Sequence, residues 1–502
     1  MKIIFALTII FCAFYCGAQN RNNIWVFGDS AGVDFANINN PVAYHSSVKS
    51  RGSCTNICDS NGVLKFYAFT RAGLIGNTTR VFSHNNILML SGDSIVGQGW
   101  YNELVILPFA ANTNQYYLFS IGVTNSSPTG LYYSIVDMSL NNGLGAVVQK
   151  NVQLLSYPAN DGLIAVKHGN GRDWWVLFRR WNAPPNDEYF KFLVSPTGIS
   201  GPFIQHIGTS INSGFMRFQF NKAGTQLAMV NYDGLIELYY FDRCTCDLYN
   251  YKLVRPKNTA PPSPSMVCCE FSENGRFLYV STNGWQSDVS LIQIDLQDTL
   301  LFASADTIAN LSTTNISGGF LKRGKNNKIY WSNAYEDGFT FSYPYSDTLF
   351  NTYNNNLSVI NSPDSPGLAC NFSPFSFNLG GGRTYWGLPN NPDYDLGRLL
   401  GSPCDTLQWV GSPPAPQRGE QQLHATYISA WEKLFINASG LKGKNATVTV
   451  YDGRGSAIKN YELKIINGYA TLDVDCTGWA NGLYVVHLQT EKEVLSKKFI
   501  KE

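Results

Sequence analysis

Charge is scarce in this 502-residue chain. Asp, Glu, Lys and Arg make up 15% of it, against about 25% in ordinary soluble domains. The 37 basic and 36 acidic residues nearly cancel to a net charge of +1, which leaves no basic footprint for nucleic acid. Histidine is also rare. His45, His84, His168, His206, His424 and His487 are scattered, and no cysteine pair is followed by a histidine pair at zinc-finger spacing. There is no H-E-x-x-H and no Walker loop. Beyond the N-terminus no apolar run approaches 18 residues, so no membrane helix is expected.

Aromatic residues are plentiful instead, at 14%, and there are 45 glycines. That composition excludes a disordered chain, which needs high charge and few aromatics. It also argues against a long-helix protein, which is rich in Ala, Glu, Lys and Leu.

Residues 1–18 read as a secretory signal: Lys2, an uncharged apolar run over 3–14, and Cys16-Gly17-Ala18 before Gln19. Cleavage is expected between Ala18 and Gln19. Tyr15 stands where lipidation of Cys16 would want a small residue. Nine cysteines then remain, and export favours disulfides with at least one thiol left over. The candidates are Cys54 with Cys58, and Cys244 or Cys246 with Cys268 or Cys269; Cys370 and Cys404 are further candidates, and Cys476 is the ninth.

Short apolar runs recur at Leu64–Thr70 (LKFYAFT), Gln115–Ile121 (QYYLFSI), 173–179 (DWWVLFR), 225–231 (TQLAMVN), 276–282 (RFLYVST), 328–334 (KIYWSNA) and from Thr384 (TYWGLPN). Their starts lie 51, 58, 52, 51, 52 and 56 residues apart. Most follow Asn/Gly turns such as Asp59-Ser60-Asn61-Gly62, whose residues tolerate the positive φ of hairpins. A hairpin unit of about 50 residues is the size of one propeller blade. A blade buries both faces, which suits runs such as Trp174-Trp175-Val176-Leu177-Phe178 that do not alternate. The expected fold is all-β: a seven-bladed, WD40-like β-propeller over 19–410, with 23–28 as its closing strand. A β-sandwich array explains the strands but not the interval. Three prolines in GSPPAPQRGEQQ (411–422) make a stiff spacer. A small Ig-like β-sandwich is expected over 423–502.

Val450-Tyr451-Asp452-Gly453-Arg454-Gly455, Trp479-Ala480-Asn481-Gly482-Leu483-Tyr484-Val485-Val486 and Ser496-Lys497-Lys498-Phe499-Ile500-Lys501 resemble a type A C-terminal sorting domain of the type IX secretion system. The resemblance implies a sorting signal at Asp452, Gly453, Gly455, Gly482, Leu483, Tyr484, Lys497, Lys498 and Phe499. It further implies passage through the periplasm, the secretion machinery as partner, and a passenger secreted or held at the outer cell surface. Asn23-Ile24-Trp25-Val26-Phe27-Gly28, Cys58-Asp59-Ser60-Asn61-Gly62, Leu131-Tyr132-Tyr133-Ser134 and Leu388-Pro389-Asn390 are similar to propeller-like repeat regions of uncharacterised bacterial surface proteins. Asp395-Leu396-Gly397 stands where Arg-Leu-Gly is frequent there, so any role of that arginine does not carry over.

Chemistry is harder to find. Gly28-Asp29-Ser30-Ala31-Gly32 fits a nucleophile elbow, but no helical pattern follows Ser30 and no histidine is assignable as its base; a blade-edge turn is the reading. Gly380-Gly381-Gly382-Arg383 has no helix behind it to cradle phosphate. Asp393-x-Asp395 lacks the glycine and glutamate of a calcium loop, and Asp187 with Glu188 reads as solvated. No catalytic residue, metal or cofactor is assigned. Among Trp100, Trp174, Trp175, Trp181, Trp285 and Trp331, Trp181 and Trp285 are the candidate ligand-facing aromatics, and the rest suit blade core. Asp-Ser/Thr-apolar triplets at 29, 93, 298, 306, 347 and 405 resemble O-glycosylation sites. The expected function is non-enzymatic binding or adhesion to a glycan or protein. A secreted propeller enzyme acting on polysaccharide, a lyase or glycoside hydrolase, is the alternative.

Overall fold

The computed structural model describes residues 20–501 apart from 71–77, 98, 100–101, 123–127, 182–183, 259–263, 285–287, 313–314, 336–344, 406–421, 429–431, 440 and 466–469. The signal, the spacer, Trp100 and Trp285 lie wholly or mainly outside the described residues. The chain falls into two compact units, Met1–Leu407 and Gln408–Glu502. Among the described residues no helix is long and apolar enough to cross a membrane.

Among the described residues the first unit holds seven antiparallel sheets, each built from consecutive strands. Their first strands are Ile24–Phe27, Cys54–Cys58, Leu104–Pro108, Ile164–Lys167, Met216–Phe220, Met266–Phe271 and Ile316–Arg323. The first two sheets have three strands and the other five have four. Six of the seven repeat runs fall on second strands: Leu64–Thr70, Gln115–Ile121, Trp174–Arg179, Gln226–Asn231, Phe277–Thr282 and Ile329–Tyr335. Each is flanked by a neighbour on both sides and packed on both faces, which is why nearly every position is buried.

Apolar cores join the sheets in order. One core spans the first, second, sixth and seventh sheets, another the second to fourth, a third the fourth and fifth, and a fourth the fifth and sixth. Third and fourth sheets also meet through a parallel bridge, Asn102 to Gly162. The circuit closes where Trp25 of the first sheet meets Tyr330 of the seventh, ring centroids 5.7 Å apart and edge-on. Next to that seam Asp29 and Arg383 exchange two backbone hydrogen bonds of 2.9 Å and their side chains form a buried ion pair. Gly28, at φ +60°, lies against the Arg383 carbonyl, where any Cβ would overlap it.

Two expectations need correction here. Residues 23–28 do not complete the last sheet. Ile24–Phe27 pairs with Ala31–Asp34 as the first strand of its own sheet. The run from Thr384 is not a strand at all. Leu388, Asn390, Asn391 and Tyr394 are buried without belonging to any sheet. Asn390 Nδ2 donates to the carbonyls of Leu104 (3.0 Å) and Leu163 (2.8 Å), and its N–H donates to Cys54 O at 2.8 Å. Tyr394 Oη donates to Ile106 O at 2.7 Å. The Phe320 N–H donates to Trp386 O at 2.8 Å. A segment that bonds the first strands of the second, third, fourth and seventh sheets together can only run along their common axis. Aromatic and apolar residues suit it as a plug as well as they suit a strand, so composition alone misplaced it.

The second unit is a sandwich. Gln422–Ile428, Lys433–Ser439 and Ala470–Asp475 form one sheet. Ala457–Lys464, Asn445–Asp452, Gly482–Thr490 and Val494–Lys501 form the other, in that spatial order. Leu434, Ile436 and Val474 meet Val448, Val450, Val486 and Leu488 in one core.

Candidate functional site

The first strands run side by side around the plug, so alternate residues face the axis. In the fifth sheet Met216, Phe218 and Phe220 join an apolar core, which turns Arg217 and Gln219 the other way. The same alternation presents Lys167, Glu270 and Lys322. Lys167 Nζ donates to Tyr394 O at 2.5 Å, and Lys322 Nζ to Asn391 O at 3.1 Å. Burial pushes both ammonium groups down to about 8. Glu270 accepts from Gln219 Nε2 (3.2 Å) and from the backbone N–H groups of Phe271 and Arg323 (3.0 Å each).

Where the plug leaves the axis it forms one wall of a cavity of about 140 Å³, lined by Trp25, Lys222, Lys322, Lys325, Asp393 and Asp395 among others. The Asp393–Asp395 pair therefore sits at a mouth, not on a free turn. Lys222 pairs with Asp393 at 2.9 Å and Lys325 with Asp395 at 3.8 Å. Burial raises the Asp395 carboxyl. Each ammonium approaches one oxygen only; Asp393 Oδ1 accepts the Asp395 N–H at 3.0 Å, and Asp395 Oδ1 is buried without a hydrogen-bond partner. Among the described residues no group of three acids, histidines or cysteines is placed to hold a metal. A second cavity of about 60 Å³ shares Gln219, Lys322, Asn391 and Asp393 with the first and adds Arg217.

The plug is fixed at its far end by a disulfide. Cys404 bonds Cys244, beside His168, whose Nε2 donates to Cys244 O at 3.0 Å while Nδ1 accepts the Asn170 N–H. The other candidate thiols, Cys54, Cys58, Cys246, Cys268, Cys269 and Cys370, are free and buried, as is Cys476. Cys54 and Cys58 begin and end one strand; four extended residues span about 13 Å, beyond the roughly 7 Å a disulfide bridges. Cys268 instead accepts the Leu321 N–H at 3.1 Å.

The remaining candidates stay apart. Ser30 (φ +60°) turns between two strands, its Oγ 3.4 Å from Asp29 Oδ1, and a strand follows it. Asp187 and Glu188 gather round an exposed His206. Trp181 is half-buried, whereas Trp174, Trp175 and Trp331 are core. Ser94, Thr299, Thr307 and Thr348 of the Asp-Ser/Thr triplets are exposed. The residues missed from the sequence are Lys167, Arg217, Glu270, Lys322, Asn390 and Asn391. Their signal was a charge set within an apolar strand, as in Met216-Arg217-Phe218.

In the second unit the sorting residues form two local structures. Asp452 Oδ1 accepts the N–H groups of Arg454 and Ser456 at 2.9 Å each, and Gly455 closes the turn at φ +86°. Gly482, Leu483 and Tyr484 pair with Lys501, Ile500 and Phe499. Tyr484 stacks on Phe499 at 5.3 Å, and its Oη donates to Ala480 O at 2.5 Å. Lys497 and Lys498 are exposed.

Several solved structures resemble the fold distantly. The Pseudomonas aeruginosa periplasmic gluconolactonase PpgL is 10% identical at TM-score 0.35, over 82% of this chain and 99% of that one. The Myceliophteria thermophila Cps50 (Swd1) β-propeller domain is 11% identical at TM-score 0.33, over 61% and 92%. A Mycobacterium tuberculosis puromycin-hydrolyzing peptidase is 8% identical at TM-score 0.38, over 94% and 59%. Likeness this remote says nothing of activity. No curated relative matches the chain. Residues 430–502 match the secretion system C-terminal sorting domain family, so this all-β protein carries the type IX tail that directs export to the cell surface or secretion.

Proposed function

We propose that the chain is a secreted or cell-surface binding protein: a seven-bladed propeller (19–410), released from a signal (1–18) and joined by a spacer (411–422) to an Ig-like sorting sandwich (423–502). It holds a surface or environmental glycan or protein without turning it over. The observation that carries this reading is the occupied axis. Residues 386–394 fill the space in which a ring enzyme would gather its acids. Of the carboxylates left at the mouth, Asp393 is paired with Lys222 and Glu270 accepts N–H groups; Asp395 alone keeps an oxygen without a hydrogen-bond partner, which gives one open carboxyl and not two. Glycoside cleavage needs one carboxyl free to donate and one free to attack or to activate water. Trp181, which does not line this mouth, supplies an aromatic face for such a ligand, and Trp285, outside the described residues, is the second candidate. The test is a glycan array with the full mature chain, followed by incubation with each retained polysaccharide. Retention without new reducing ends or unsaturated products is expected. Release of either product restores the polysaccharide enzyme.

A further inference from the structure

The smaller cavity beside the plug has the character of a site in its own right. Arg217 is 2% exposed, yet its Nε and Nη1 have no hydrogen-bond partner. Its guanidinium stacks on Phe320 at 4.3 Å, which supports the cation without satisfying its N–H groups. Among the described residues no carboxylate comes within ion-pair distance of Arg217 or Lys322. Lys322 gives one hydrogen bond to Asn391 O, and an ammonium has three to give. Leaving a buried charged donor unmet is costly. Asp393 lines the same space but is paired with Lys222 at 2.9 Å; two cations facing that space, with open N–H groups, call for a further anion.

The opposite wall differs. Ile164, Val166, Phe220 and Leu396 line the same cavity. At about 60 Å³ the space exceeds one water, whose share of the liquid is about 30 Å³. A cationic end, an apolar end and room for a few heavy atoms describe an amphiphilic acid of small size. The wall shared with the larger mouth provides the way in.

We propose that the Arg217–Lys322 cavity binds a short-chain aliphatic carboxylate, its oxygens on the two cations and its alkyl end against Ile164, Val166, Phe220 and Leu396. This holds whether or not the mouth takes a larger ligand.

Isothermal titration of the full mature chain with acetate, propionate, propionamide and bromide tests it. Propionate is expected to bind more tightly than acetate, by about fourfold for the added buried methylene. Propionamide, the same shape without charge, is expected to bind roughly tenfold or more weakly, as is propionate to Arg217→Gln, because a charge-assisted hydrogen bond is lost. Leu396→Trp, which fills the apolar end from outside any strand, keeps its fold and loses propionate even if Arg217→Gln does not fold. Absence of propionate binding at about 10 mM overturns the proposal. So does equal binding of propionamide, undiminished binding by either folded variant, or bromide competing on equal terms with propionate.

Discussion

The two units solve the burial problem of a strand in opposite ways. In the propeller unit a first strand such as Met266–Phe271 is buried at every position, because a sheet lies on each face. In the sorting sandwich Gly482–Thr490 is buried at alternate positions, because one face meets the core and the other meets water. The thiols follow the same division. Six of the seven free buried cysteines lie in the first unit and Cys476 alone in the second. The difference shows what each unit tolerates: the ring buries charged side chains such as Arg179, Glu237 and Lys322, whereas the sandwich places most of its charges outward, as with Lys497 and Lys498, and buries Lys501 against backbone carbonyls.

Alkaline pH breaks the comparison hardest. Burial raises the thiols of the first unit, Cys58 to about 12. The unfolded chain loses these protons from about 8.5 while the folded one retains them. Stability from them is therefore full below that pH and is lost as pH rises above it. Lys167 and Lys322, depressed to about 8, act with the opposite sign but are two against six. Chemical unfolding followed from pH 8 to 10 is expected to weaken the first unit steeply and leave the sandwich nearly level. Equal slopes would break the contrast.

Trp25→Ala comes next. It empties the seam where first and seventh sheets meet and is expected to cost the propeller unit about 3–5 kcal/mol, read from the denaturation midpoint, without moving the sandwich transition. Cys404→Ser releases the end of the plug; losing a native cross-link costs about 2–5 kcal/mol, and the value here is expected at the low end because the Asn390 and Tyr394 bonds remain. The smallest effect belongs to the sandwich. Asp452→Ala removes two turn hydrogen bonds and is expected to cost about 1 kcal/mol, visible only in the second transition.

Much of this division was legible in the sequence. The interval between apolar runs located the second strands, because each blade repeats the same hairpin. The Asp452-Gly453-Arg454-Gly455 turn and the Gly482-Leu483-Tyr484 strand located the sandwich. Three features were not legible. The first sheet carries no repeat run, since Ala31–Asp34 is short and contains glycine. The plug shares its composition with strands and differs only in where it runs. The Cys244–Cys404 pairing depends on the tail returning to the fifth sheet, which no spacing encodes. Arg217 left only a weak mark, a cation between Met216 and Phe218.

Everything distinctive about the candidate site rests on residues 386–394 occupying the axis. Hydrogen exchange on the full mature chain, read by mass spectrometry on the peptide covering 386–394, measures that occupancy directly. Protection comparable to that of Cys54–Cys58 and Ile316–Arg323 is the expected result. Exchange as fast as that of the exposed turn at Asp452–Ser456 would contradict the account, and would leave the ring with an open channel.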